Sequence, residues 1–156
     1  MPRNFLAMVV RPNVDEFHNN FADIRRAYNA IAAADALAAH LYVWAKTNAP
    51  NKVATAGDDS AFRAVLANRD HNFSLLRDIA KALKHVRLTK GSPQVNSASQ
   101  VVSRPIGYGE GGFGAGRYGG PEQVIVDIPQ NGIRYIEEIV DQAVAFLEAE
   151  MTDMGA

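Results

Sequence analysis

Apolar positions recur at helical spacing through most of the chain before Gly91, and at strand spacing in short stretches after it. Phe17, Phe21, Ile24, Tyr28, Ile31, Ala38 and Tyr42 fall within one stripe of 3.6-residue period, which predicts a helix over residues 14–48. Asn13 with Glu16 three residues on is a capping-box variant at its start, and Asn48-Ala49-Pro50 stops it. His18-Asn19-Asn20 is weak helix material where a break is expected. Residues 1–12 read as an irregular or extended lead-in closed by Pro12. Past residue 34 a second apolar arc, Leu37, Leu41 and Trp44, marks this half as the central helix of a bundle.

Asp58-Asp59-Ser60 supplies an N-cap and negative charge for a second helix over residues 59–69. A third, over 71–88, carries Leu75, Leu76, Ile79, Leu83 and Val86 on one face, and Gly91-Ser92-Pro93 ends the helical half. A β-ribbon is expected over 95–129, with Val124, Val126 and Ile128 alternating as a half-buried strand. Asn131-Gly132 signals a turn that returns a brief third strand. A last helix over 135–151 faces the core with Ile136, Ile139, Val140, Ala143, Phe146 and Leu147. The pattern predicts one mainly α domain spanning 1–156, a four-helix bundle-like body with a small antiparallel ribbon before the last helix.

The ribbon is interrupted by a glycine segment, residues 107–120, which holds eight of the twelve glycines. It contains G-x-G-x-x-G, but a strand rather than a helix follows, so the pyrophosphate cradle of a dinucleotide site is not predicted. Tyr108, Phe113, Arg117 and Tyr118 lie among these glycines and are binding candidates. They either pin the loop to its own domain or a neighbouring subunit, or stack on bases or a partner.

Composition narrows the setting. With 47% hydrophobic residues, 21% charged and no cysteine, the chain reads as a globular protein of a reducing compartment, with the cytoplasm the default. No membrane span and no cofactor are expected, and His18, His40 and His71 fall in no metal-ligand spacing.

Charge matters through its distribution. Between Arg63 and Lys90 there are seven Lys/Arg against Asp70 and Asp78, whereas from Glu122 to Asp153 eight acidic residues face Arg134 alone. Either the basic and acidic helices neighbour each other or face solvent, or the basic one offers a face to phosphate or an acidic partner.

The third helix also holds the densest chemistry, Arg77-Asp78-Ile-Ala-Lys81-Ala-Leu-Lys-His85. Asp78, Lys81 and His85 share one side of it, beside the apolar stripe. His85 is a candidate general acid or base, with Lys81 or Arg77 stabilising an anion and Asp78 orienting a neighbour. The structural alternative is a helix pair with a C-terminal dipole partner. Asp35 lies within the stripe of the first helix and must be paired, hydrogen-bonded or at a cleft. It is the candidate to meet Lys81 or His85.

Residues 73–88 and the Gly-Tyr loop resemble an uncharacterised group of small bacterial and phage proteins that share an L-x-D-I-A-x-A-x-K-H-x-x-L helix, here Leu76 to Leu88. The helix arrangement is loosely similar to the HEPN superfamily, whose all-helical domains are commonly dimeric and often RNA-cleaving. The apolar arc at Leu37, Leu41 and Trp44 together with the aromatic loop exceeds what four helices of this size need, so a homo-oligomer is expected. The resemblance likewise implies a dimer, with RNA or protein as partner and metal-independent cleavage as the alternative activity. HEPN nucleases place His four to six residues after Arg. Here seven residues separate Arg77 from His85, turning the two about 80° apart on the helix. A binding or assembly module is therefore the preferred expectation.

Overall fold

The computed structural model describes residues 1–105 and 122–156. The glycine segment with Tyr108, Phe113, Arg117 and Tyr118 lies outside the described residues. The protein is mainly α with a small three-stranded antiparallel sheet, as the periodicity predicts.

The amino-terminal region departs from expectation, because residues 2–18 are helical. α1 (Pro2–Phe5) opens with proline near its first position and runs through a π-helical turn, Leu6–Val10, into α2 (Arg11–His18). Pro12 would clash with the carbonyl four residues back and has no N–H to offer it. The wider turn accommodates it: the Arg11 N–H reaches the Leu6 carbonyl, and Asn13 donates its side-chain N–H to the Val9 carbonyl at 2.8 Å. Asn13 is thus inside the helix rather than capping it. What holds this run is the buried stripe Leu6, Val10, Val14 and Phe17.

The break falls at residues 19–23, and α3 (Ile24–Asn48) starts from Asp23, whose carboxylate accepts from the N–H groups of Arg25 and Arg26. Leu37 and Leu41 are fully buried in the protein's own core, with Trp44 packed at its margin, so this arc is used up within the single chain and is not the surplus surface expected for assembly. α4 (Pro50–Val53) is a single turn. α5 (Asp59–Arg69) is capped by Asp58, which accepts from the Ala61 N–H at 2.7 Å. α6 (His71–His85) is capped by Asp70 in the same way, through Phe73. It ends three residues earlier than expected, because Val86 turns to φ 64° and leaves the helix, 69% exposed.

Strands β1 (Val101–Arg104), β2 (Gln123–Ile128) and β3 (Gly132–Tyr135) pair in chain order, all antiparallel. The β2–β3 turn is closed by the Asn131 N–H, which donates to the Ile128 carbonyl at 3.0 Å; Gln130 and Gly132 take positive φ, so the central pair is Pro129-Gln130 rather than Asn131-Gly132. The Val124 N–H donates to the Phe21 carbonyl at 2.7 Å, tying the sheet to the α2–α3 break. α7 (Ile136–Met154) then returns to pack on α3 and α6, and ends at Gly155 in the left-handed conformation.

Candidate functional site

Three helices bring charged side chains together where α3, α5 and α6 pack. Asp35 sits on a helix whose neighbours Ala34, Leu37 and Ala38 are buried, so its carboxylate is drawn into the interface, with 19% of the side chain exposed. Arg63 of α5 meets it: its Nη1 lies 2.6 Å from Asp35 Oδ2, and its Nη2 lies 2.6 Å from Asp59 Oδ2 one turn earlier on the same helix. One guanidinium fork thereby holds a carboxylate from each of two helices.

Arg77 approaches from α6. Its Nη2 donates to the Ser60 carbonyl at 2.9 Å, while its Nε and Asp35 Oδ1 are buried without hydrogen-bond partners. Burial pushes the Asp35 carboxyl above its ordinary value; the charge and hydrogen bond of Arg63, then the charges of Arg77 and Lys81, pull it back only in part. Arg77 and Lys81 are both held below their ordinary values, first by burial and then by the repulsion of a neighbouring guanidinium. Asp78 is raised by burial, and its Oδ2 accepts the Gln94 N–H at 2.9 Å, anchoring the chain that leaves α6.

The predicted residues thus divide. Asp35, Arg77 and Lys81 form one electrostatic cluster with Arg63 and Asp59, and Asp78 adjoins it. His85 is the last residue of α6 and is exposed. Asp35 is paired with Arg63, not with Lys81 or His85. Arg63 was visible only as a member of the basic run; its position four residues after Asp59 was the available signal.

A second feature is apolar. The outer face of α3 carries Tyr28, Ala32, Ala36, Ala39 and Val43 within an arc of about 80° at 100° per residue, with the exposed cations Arg25 and Lys46 on the same arc beyond its two ends. Tyr28 is 40% and Val43 66% exposed. At its far end a groove of about 380 Å³ is lined by Met1, Pro2, Ala39, His40, Val43 and Trp44.

Among the described residues no helix is long and apolar enough to cross a membrane, and no group of three or more His, Cys, Asp or Glu could hold a metal ion. No protein-family model matches the chain, and comparisons with curated proteins and with solved structures return no match.

Proposed function

We propose that this protein is a binding and assembly module that pairs with a second copy of itself through the outer face of α3, in a reducing compartment such as the cytoplasm. The observation that carries the reading is the apolar face itself: Met1 is 75% and Val43 66% exposed at one end and Tyr28 is 40% exposed at the other, with only alanines on the arc between. Small side chains let two helix backbones approach closely, and the groove beside Trp44 widens the apolar area.

A binding role is preferred to HEPN-like RNA cleavage on the state of the charged groups. The Asp35 carboxylate is held by Arg63, and Arg77 leans on the Ser60 carbonyl of α5. His85 stands exposed at the end of α6, about 80° around the helix from Arg77. Such a cluster fixes the register of α3, α5 and α6.

Light scattering tests the assembly. The wild type is expected to have the mass of a dimer, and Val43→Glu the mass of a monomer with unchanged helical circular dichroism. A wild type that stays monomeric at high concentration removes the proposal.

A further inference from the structure

Charge pairing leaves one edge of the molecule out of balance. Arg11, His18, Lys52 and Arg69 each meet a carboxylate of α7, and Arg63 meets those of Asp35 and Asp59. Lys81 and Lys84 on α6, and Arg87 and Lys90 just beyond it, take part in no ion pair among the described residues. Lys81 is half-buried and the other three are exposed. Lys81 makes no ion-pair contact among the described residues but feels the charges of Asp78 and Asp35, and Asp78 also accepts the Gln94 N–H, so the uncompensated cations are Lys84, Arg87 and Lys90 with Lys81 at their inner margin.

The same edge carries an apolar knob. Val86 takes φ 64° and ψ −44° in a γ-turn closed by the Arg87 N–H, which donates to the His85 carbonyl at 2.7 Å. A β-branched residue is strained there and persists only where its surroundings hold it. They do so on both sides: the Ala98 N–H donates to the Val86 carbonyl at 2.9 Å, and the Leu88 N–H donates to the Asn96 carbonyl at 2.7 Å. Val86, 69% exposed, is thereby presented between His85 and Arg87, with Leu88 half-buried next to them.

We propose that the edge formed by Lys81, Lys84, Val86 and Arg87 docks an acidic peptide segment in which carboxylates alternate with apolar side chains. The unpaired cations provide charge complementarity and steer the encounter, and Val86 gives an apolar side chain something to pack on. A nucleic-acid backbone would use the cations and leave Val86 idle. No Phe, Tyr or Trp lies between residues 81 and 98 to stack on a base.

Fluorescence anisotropy with a labelled peptide of alternating glutamate and leucine tests this, beside an oligoglutamate of equal charge and a single-stranded DNA of mixed sequence. The Glu–Leu peptide is expected to bind most tightly. Lys81→Glu combined with Lys84→Glu weakens it by about tenfold or more, with the fold checked by thermal melting. Val86→Gly weakens the Glu–Leu peptide but leaves oligoglutamate unchanged, while raising Tm because the strain is relieved. The proposal is overturned if the Glu–Leu peptide does not bind, if DNA or oligoglutamate binds as tightly, or if Val86→Gly leaves its binding intact.

Discussion

α6 and α7 pack against each other, yet they use their charges differently. Glu148, Glu150 and Asp153 of α7 meet cations from α2, α5 and α4, at 2.8, 2.6 and 2.7 Å, and Asp141 meets the His18 ring of α2 at 2.9 Å. None of those cations comes from α6, whose contact with α7 is built on apolar residues such as Phe73, Leu76, Ile139 and Ala143. A basic run and an acidic run in one chain invite the inference that they neutralise each other. Here four carboxylates of the acidic helix are met by other elements, and the cations of the basic one run from a closed cluster to an open edge, with Lys81 where the two join. Charge in a sequence window therefore says little about which surface stays charged.

The sharpest way to break the comparison is at the buried end of α7. Glu150 is 5% exposed and receives two hydrogen bonds from Arg69, each 2.6 Å, in a bidentate pair. Arg69 itself is 52% exposed, so the carboxylate is the member that burial endangers. Arg69→Met is expected to cost about 3 kcal/mol, because it leaves a buried charge unpaired. Glu150→Gln should cost less, since the released guanidinium reaches water. Urea unfolding of the two variants measures the asymmetry, and equal losses would show that the pair acts through packing rather than charge.

The α3–α5–α6 cluster is the next test, and pH gives it a sign. Burial raises the folded-state value of Asp35 above the ordinary 3.8, so the folded protein binds a proton more readily than the unfolded chain. The resulting stabilisation is fully present below the unfolded value and is lost as pH rises through the raised folded one. Arg63→Met removes the strongest opposing charge and raises Asp35 further. It is expected to cost about 2 kcal/mol at neutral pH and progressively less as pH falls into that window. Asp35→Asn should steepen the acid limb of the stability curve, because it removes a group whose contribution grows as pH falls. A loss in Arg63→Met that does not change with pH would place the interaction elsewhere.

The parts of this arrangement legible in the sequence were those governed by local geometry. Helix 59–69 is found where Asp58 caps it, and the brief third strand returns at Gly132, although the turn centres on Pro129-Gln130. The amino-terminal helix was hidden by Pro12, a stop signal in an α-helix that a π-turn absorbs, although Leu6, Val10, Val14 and Phe17 already had the spacing of a buried stripe. Asp35 announced that it needed a partner, but the choice of Arg63 over Lys81 or His85 depends on how α3 and α5 cross, which no local pattern encodes. The end of α6 was misplaced for a similar reason. Val86 fits the apolar stripe, and only its pairing with residues 96–98 pulls it out of the helix.

The smallest expected effect sharpens the comparison from the other helix. Lys84 lies in the last turn of α6, exposed and in no ion pair among the described residues. Its contribution to stability then comes from the carbonyl end of the helix dipole, and reversing it costs about 0.5 kcal/mol at low salt. Salt screens an exposed charge of this kind, so the loss should fade as ionic strength rises. The pair on α7 that is least accessible to solvent responds differently, because Glu150 stays buried whatever the salt. Unfolding Lys84→Glu and Arg69→Met in parallel at low and high salt separates the two: the first difference should shrink and the second persist. If Lys84→Glu instead costs as much as Arg69→Met, α6 has a carboxylate partner, and the edge it forms is closed rather than open.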